Sequence, residues 1–276
     1  MIGVAVKWIP GRPEIDSMSG LVVVGDERFG GISLADQAAL ETALQLATGQ
    51  EEIRVVSLGG TDVIEPLRES LAVGATSAVH IHTETELDSQ QVAEHLAKQF
   101  AQCRLIICGD YSMDRGSGSV PAFLAHYLNA KQALGLVSIQ MDGDSFLCTR
   151  RLDGGRREVV RAPQTDTAPF VVSVEGSLSR LRRASLTATL ASNSATIESV
   201  IAVTGGSVVD GELTRFKPPT RLVAAPNGSS SLQRIKQLTD ANGITTHGEL
   251  VTLTPDAAAK RILLALHEWG YLDSST

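Results

Sequence analysis

The feature that most constrains the fold of this chain is an alternation, along its first half, of short apolar runs and amphipathic stretches. Four runs are mostly apolar and are followed by glycine or polar residues, as buried parallel strands are; they cover residues 2–6, 53–57, 78–81 and 105–108. Between them, apolar residues recur with helical spacing, from a stripe around Leu40 to one around Leu124, and Ser33 or Asp36 is the candidate N-cap of the first helix. This order predicts an α/β fold with a mostly parallel, doubly wound sheet.

The second half of the chain has a different pattern. Asp-Gly and Gly-Gly turns, which tolerate positive φ, separate strand-like runs at residues 136–140, 145–151, 157–161 and 170–174. These runs predict an antiparallel extension of the sheet. Beyond Thr204 the chain is rich in Gly, Pro, Ser and Thr, and an amphipathic helix is expected over residues 255–269. We therefore predict an α/β domain over residues 1–203 and an extended linker with a C-terminal arm over residues 204–276.

The composition argues against several classes of protein. The formal net charge of −7 disfavours a nucleic-acid partner, which requires a basic face. Three cysteines in 276 residues cannot form a disulfide framework, so core thiols in a reducing compartment are expected. No apolar run approaches the roughly 18–20 residues of a membrane span, and the first residues lack the pattern of a secretion signal. These observations predict a cytoplasmic protein without membrane insertion.

The strongest candidate binding segment is residues 108–120, which connect a buried strand to the most apolar helix. Its small residues allow backbone N–H groups to approach a phosphate, and Ser117 and Ser119 offer hydroxyl donors. The alternative is that Gly and Ser only cap the helix. Residues 6–10 and 57–61 also follow predicted parallel strands, and such strand ends meet at one edge of the sheet. Together the three segments predict a nucleotide cleft.

Catalytic and metal-binding patterns are weak in this sequence. His80 and His82 share one face of a strand, but no Cys, Asp or Glu completes a recognisable metal-ligand spacing. Neither a nucleophile elbow nor a zinc-protease motif is found. The basic run at residues 180–183 is a solvated segment or a contact for an acidic partner. This profile favours a cofactor or nucleotide carrier over an enzyme.

Along almost its whole length the chain resembles the β subunits of electron transfer flavoproteins. The segments that carry this resemblance, in order, are residues 5–10 (AVKWIP, against AVKRVP in the family), 33–44 (SLADQAALETAL, against NPFDEIALEEAL), 68–75 (RESLAVGA, against REALAMGA), 109–120 (the nucleotide loop), 149–155 (TRRLDGG, against TREVDGG), 178–186 (LSRLRRASL, against LNEPRYASL) and 255–266 (the closing arm helix). The resemblance implies an adenine-nucleotide α-hydrolase-like sheet with a hairpin extension and an arm.

The resemblance also implies a division of labour between two chains. An α partner would hold the redox-active FAD, and this β-type chain would bind a second nucleotide, either AMP or another FAD. Electrons would come from an acyl-CoA-type or other flavin dehydrogenase and pass to an acceptor like the electron transfer flavoprotein–quinone oxidoreductase. Residues 178–190 would form an exposed docking loop, in which Leu186 anchors such partners and Arg180, Arg182 and Arg183 are steering charges. The implied nucleotide contacts are Ala5, Ser33, Leu34, Ala35, Asp36, Leu58, Gly109, Asp110, Tyr111, Ser112, Met113, Asp114, Arg115, Gly116, Ser117, Gly118, Ser119 and Val120.

The chain departs from the family pattern at several positions. Ala35 stands where the family has the phenylalanine that touches the flavin, and Gly116 and Ser119 replace an acid and a glutamine of the nucleotide loop. Arg115 adds a cation beside the expected phosphate, and residues 190–194 replace a lysine-rich end of the recognition loop. These departures suggest a divergent member, from a specialised branch such as the one associated with mycofactocin-linked oxidations. The alternatives are a stand-alone AMP- or ATP-binding module of the universal-stress type, and a small hydrolase or transferase.

Overall fold

The structure, a computed structural model, describes residues 1–9, 11, 14–16, 18–23, 30–164, 168–203, 226, 228–238 and 252–268. It divides into two compact units, Met1–Lys217 and Pro218–Thr276. The described strands are β1 Ile2–Ala5, β2 Trp8–Ile9, β3 Glu14–Ile15, β4 Val22–Val23, β5 Gly31–Ile32, β6 Ile53–Gly59, β7 Ser77–His82, β8 Leu105–Gly109, β9 Lys131–Asp142, β10 Ser145–Arg151, β11 Arg157–Pro163, β12 Phe170–Val174 and β13 Glu198–Ile201. The described helices are α1 Leu34–Leu46, α2 Ile64–Val73, α3 Ser89–Phe100, α4 Val120–Tyr127, α5 Leu186–Ser194, α6 Ser231–Leu238 and α7 Pro255–Glu268.

The first unit is built on a mostly parallel sheet of nine strands within the described residues. The strand order is β11-β10-β9-β12-β8-β1-β6-β7-β13, and β1 pairs in parallel with both β6 and β8. The chain moves outward from β1 through β6 to β7 and then returns to place β8 on the other side of β1. The sheet therefore has a topological switch point between β1 and β8, where ligands bind in folds of this kind. The predicted doubly wound α/β fold is confirmed.

Helices cover both faces of this sheet. The apolar core on one face includes buried residues of α1 and α2, such as Leu40 and Leu67, and the core on the other includes buried residues of α3 and α4. Successive residues of a strand alternate between the two cores, as Ile106 and Ile107 of β8 do. The runs that predicted the strands are therefore mostly apolar because both of their faces are buried.

Local residues set the ends of these helices. Ser33 is the N-cap of α1 and accepts a 3.0 Å hydrogen bond from the backbone N–H of Asp36, which decides between the two candidate caps. Asp88 forms a capping box with Gln91 at the start of α3. Gly74 ends α2 with a φ of 127°, a conformation that L side chains rarely adopt. Sequence and local geometry agree at each of these positions.

The predicted antiparallel extension is smaller than expected. Three strands form it, since β10 pairs antiparallel with both β9 and β11, whereas β12 lies between β8 and β9 and is parallel to both. All five residues of β12 are buried, which suits an interior parallel strand rather than an edge hairpin. The Asp-Gly and Gly-Gly turns occur as predicted, with Gly143 and Gly154 at φ of 59° and 73°.

The second unit contains α6 and α7 among its described residues. The helix predicted near the C-terminus is confirmed as α7, while α6 and the sheet strand β13 were not predicted. Residues 204–225, most of the predicted linker, lie outside the described residues, so the boundary at 203/204 stays a prediction. Among the described residues, no helix is long and apolar enough to cross a membrane. The three cysteines are unpaired and buried.

Candidate functional site

A cavity of about 370 Å³ opens at the carboxyl ends of the central strands, at the switch point. It is lined by the ends of β1, β6 and β8 and by the connections that follow β7 and β8. The structure thus brings together the three segments that the sequence placed at one sheet edge. Apolar side chains such as Leu58, Val92 and Leu96 line the cavity together with Lys7 and Asp114. Its size and mixed lining are typical of small-molecule sites.

Asp36 ties the two strand ends at the switch point to helix α1. Its side chain is buried, and its two carboxylate oxygens accept hydrogen bonds from the backbone N–H groups of Lys7 (3.1 Å) and Gly109 (3.2 Å). Burial raises the pKa of Asp36 to about 6, although these hydrogen bonds oppose the shift. A Cβ at position 109 would lie 2.5 Å from Asp36 Oδ1, so this close approach requires glycine. Asp36 therefore sets the distance between β1 and β8 at the cavity.

Lys7 and Asp114 form an ion pair beside Asp36. The Lys7 Nζ donates to Asp114 Oδ2, and both side chains are partly exposed. Burial opposes ionisation of Asp114, but hydrogen bonds from Lys7 and Ser112 and the Lys7 charge outweigh it and lower the pKa of Asp114 to about 2. The two groups neutralise each other across the end of β1.

The loop between β8 and α4, residues 110–119 and hereafter the glycine loop, is shaped by two glycines. Gly116 and Gly118 have φ of 64° and 58°, and a Cβ at position 118 would lie 2.4 Å from the carbonyl oxygen of Asp110. Ser119, the N-cap of α4, makes no side-chain capping hydrogen bond within the described helix, and Ser119 and Val120 line the cavity. An anion in the cavity would meet the first turn of α4, where backbone N–H groups and the helix dipole favour negative charge.

Arg115, the fourth residue before Ser119, is held by the segment that follows β7. Its Nη1 donates a 2.8 Å hydrogen bond to the carbonyl oxygen of Leu87, and its Nη2 pairs with Glu86. Both acceptors belong to the connection after β7. The guanidinium expected beside a phosphate is thus engaged with two residues that also line the cavity.

Twelve of the eighteen predicted nucleotide contacts line the cavity: Ala5, Asp36, Leu58, Gly109, Tyr111, Ser112, Asp114, Arg115, Ser117, Gly118, Ser119 and Val120. Six do not: Ser33, Leu34, Ala35, Asp110, Met113 and Gly116. Ser33 caps α1 and Ala35 is buried, whereas Leu34 is 70% exposed. Several residues line the cavity but were not predicted as nucleotide contacts, including Lys7, Gly60 and residues 83–87. The signal for the last group was present, because β7 was itself predicted as a parallel strand and its carboxyl end lies at the same edge.

The predicted docking segment is partly helical. Residues 178–190 were expected to form a loop, but α5 begins at Leu186 because Ser185 caps it with a 3.1 Å bond from the Ala188 N–H. The loop prediction is therefore wrong from Leu186 onward. Leu186 is 76% exposed, in keeping with an anchor, although docking itself stays a prediction.

Arg182 has a structural contact that the sequence did not predict. Its Nε and Nη2 donate to the buried carboxylate of Glu41 on α1 at 2.9 and 2.8 Å, and these bonds are the main reason that the pKa of Glu41 is lowered. Arg180 and Arg183 are exposed. Their steering role stays a prediction, and the Glu41 pair makes Arg182 the least available of the three.

Among the residues that the structure describes, no group of three His, Cys, Asp or Glu side chains could hold a metal ion. His80 Nε2 lies 3.0 Å from the carbonyl oxygen of Gly59, and His82 Nε2 lies 3.0 Å from Glu84 Oε1. Each histidine of the predicted face therefore has a local partner.

Comparison with known proteins gives a consistent result. Residues 20–207 match the family described as "Electron transfer flavoprotein domain". Among curated proteins named "Electron transfer flavoprotein subunit beta", the chain is 32% identical over 155 residues to that of Bradyrhizobium diazoefficiens, covering 55% of this chain and 60% of the relative. It is 32% identical over 124 residues to that of Dictyostelium discoideum (44% and 50%) and 29% over 158 residues to that of Bacillus subtilis (55% and 59%). The matched part thus spans between half and 60% of these relatives.

Proposed function

Because the chain belongs to the electron transfer flavoprotein family, as a divergent relative of its β subunits, we propose that it is the β subunit of a cytoplasmic α/β heterodimer. In this proposal the α partner holds most of an FAD, and this chain supplies one wall of that site. FAD would supply the redox chemistry, while this chain binds, orients and tunes it. The family match and the β-subunit relatives support the proposal.

We further propose that the cavity binds a second nucleotide, AMP or FAD. The observation that carries this is a cavity at the strand switch point into which a glycine loop and a helix N-terminus open. Backbone N–H groups near Gly118 and Val120, with the hydroxyls of Ser117 and Ser119, would hold a phosphate. Leu58, Val92 and Leu96 offer apolar surface to a base. These residues fit an adenylate, which AMP and FAD share.

Electron carriage rather than bond-making chemistry suits the groups that line the cavity. Lys7 and Asp114 pair with each other, and Asp36 accepts two backbone hydrogen bonds. Burial strongly raises the pKa of Cys108, so its thiol stays protonated and weakly nucleophilic. A donor flavin dehydrogenase would dock at the exposed Leu186, and electrons would leave to an acceptor of the quinone-oxidoreductase type.

The test is to purify the full chain with its α partner, denature the complex and identify the released nucleotides by mass. We expect one FAD per heterodimer plus a second equivalent of AMP or FAD. Gly118→Val should abolish the second equivalent, because the new Cβ would clash with the Asp110 carbonyl oxygen. Ser117→Ala should weaken its affinity about fivefold, the loss of one hydrogen bond of about 1 kcal/mol.

Gly143→Val is the matched control, since Gly143 has a similar positive φ but lies in the β9–β10 turn. It should retain both nucleotides. A wild-type complex that releases FAD alone, at one equivalent, would contradict the second site. A chain that binds AMP or ATP by itself and forms no complex with an α partner would instead support the universal-stress-type alternative.

A further inference from the structure

Arg115 connects two cavity walls that are far apart in the sheet. The glycine loop leaves β8, whereas Leu87 and Glu86 follow β7, and β1 and β6 lie between those strands. With strands about 4.8 Å apart, β7 and β8 are separated by roughly 14 Å. The two segments nevertheless meet, because α3, which follows Leu87, packs against α4, which follows the glycine loop. The Arg115 contacts therefore join two segments that both line the cavity.

The two acceptors of Arg115 differ in how firmly they are held. Leu87 is buried and directly precedes Asp88, the capping-box residue that begins α3, so its carbonyl oxygen is a fixed anchor. The Glu86 side chain is 73% exposed, and an exposed ion pair contributes little. The charge-assisted bond to the Leu87 carbonyl is therefore the important contact.

The glycine loop is held at a second point by the Lys7–Asp114 pair, on the residue before Arg115. One tie reaches the end of β1 and the other reaches the wall beyond β6. Between them and α4, the positive-φ glycines 116 and 118 provide the places where the loop changes direction. Releasing the Arg115 tie would free the glycine loop from residues 86 and 87 while the β1 tie remains.

We propose that Arg115 is a positioning residue that closes the glycine loop over the bound nucleotide and slows its exchange, and that it is not a phosphate ligand. This inference rests on the proposed nucleotide site. Arg115 departs from the family pattern, and its place in the glycine loop suggests a contact with the phosphate. The inference assigns it the role of holding the loop instead.

The first test needs no ligand. Hydrogen exchange is measured on the full-length chain, comparing wild type, Arg115→Gln and Arg150→Gln. The last is a control that removes an arginine–glutamate pair between β10 and β11. In Arg115→Gln, amides of residues 83–87 and 110–119 should exchange several-fold faster, while the core strands are unchanged. Arg150→Gln should leave both segments as in the wild type. Unchanged exchange at both segments in Arg115→Gln would overturn the proposal.

The second test separates closure from phosphate binding. AMP dissociation is followed by stopped flow, and AMP affinity is measured from low to high salt. Arg115→Gln should speed dissociation about tenfold, the effect of losing one charge-assisted hydrogen bond, with an unchanged salt dependence. Glu86→Gln should have a smaller effect. A loss of affinity in Arg115→Gln that disappears at high salt would make Arg115 a phosphate ligand and overturn the proposal, as would an unchanged dissociation rate.

Failure of the proposed function is distinguishable from failure of this inference. If the wild-type chain binds neither AMP nor FAD, the nucleotide site is lost, and with it the role of Arg115 in exchange. The exchange experiment still decides whether Arg115 holds the loop. If the wild type binds AMP and the Arg115→Gln variant behaves identically, only the inference is lost.

Discussion

At the scale of single residues, Asp36 shows how one buried group organises the cavity. A carboxylate can accept two hydrogen bonds on separate oxygens, and here it receives the backbone N–H groups of Lys7 and Gly109. The sequence suggested Asp36 as a helix cap and, through the family resemblance, as a nucleotide contact. Its bridging role was not predictable, because it depends on the meeting of β1 and β8, which are about one hundred residues apart in sequence.

The pKa of Asp36 makes stability depend on pH in a defined direction. Because burial raises this pKa from 3.8 to about 6, the folded chain keeps a proton that the unfolded chain has released between those values. The contribution of Asp36 to the free energy of unfolding therefore falls as pH rises from about 4 to 6, by on the order of 3 kcal/mol, and is level above that.

We expect Asp36→Asn to be more destabilising at pH 4.5 than at pH 7.5, because only the wild type gains from the retained proton. At both pH values the asparagine NH₂ group would face a backbone N–H, at a cost of about 1–3 kcal/mol. Urea unfolding at the two pH values measures this, with the exposed Asp62→Asn as control. A destabilisation that is the same at both pH values would show that Asp36 does not titrate in this range.

At the scale of elements, strands and helices with a regular apolar pattern were predictable from the sequence. Elements that form only through contacts with distant residues were not. Strands with two buried faces and helices with clear apolar stripes follow directly from the sequence, as β8 and α3 do. In contrast, α5 is rich in Ser, Thr and Ala, and forms where Ser185 caps it and Arg68 donates a 2.6 Å bond to the Ser192 carbonyl oxygen. β13 is a short edge strand defined by pairing with β7. Neither has a strong local signal.

In the docking segment, residues 178–190, Arg182 and Leu186 have different expected roles: Arg182 stabilises the fold, and Leu186 docks a partner. Arg182→Ala would leave the buried Glu41 carboxylate without its cation, with donors remaining only from Gln45 and the backbone N–H of residue 182. We expect a loss of roughly 1–3 kcal/mol in unfolding free energy, less than for a fully buried pair because Arg182 is half-exposed. Leu186→Ala should leave stability nearly unchanged, since a core leucine would cost roughly 2–5 kcal/mol and this one is exposed.

These variants are compared by thermal melting and by dehydrogenase-coupled flavin reduction in the assembled heterodimer. If Leu186 is a docking anchor, Leu186→Ala should weaken the free energy of partner binding by about 2 kcal/mol or more. Val159→Ala, an exposed apolar side chain on β11 outside the docking segment, is the matched control. A large fall in melting temperature with intact electron transfer would make Leu186 a packing residue and remove the docking hypothesis.

At the scale of the whole molecule, the sequence predicted the class of fold and the edge of the sheet that holds the cavity. It did so because strand order and crossover direction follow general rules for parallel sheets. The position of β12 in the sheet did not follow, since a run of four strand-like segments suits either hairpins or an inserted parallel strand. Its parallel pairing with both β8 and β9 decides between them, and the burial of all five residues agrees.

The last prediction concerns what this chain lacks when it is alone. Leu34, Tyr111 and Met113 are large, exposed side chains beside or on the loops of the cavity edge, and Ala35 is small and buried where the family has an aromatic residue. An incomplete flavin site cannot enclose an isoalloxazine ring, so the chain expressed alone should bind no flavin tightly, whereas co-expression with its α partner should give a yellow complex. Absorbance after purification, with nucleotide mass analysis, measures this. A yellow, stoichiometric monomer would contradict the prediction, and loss of its colour in Gly118→Val would assign that flavin to the cavity.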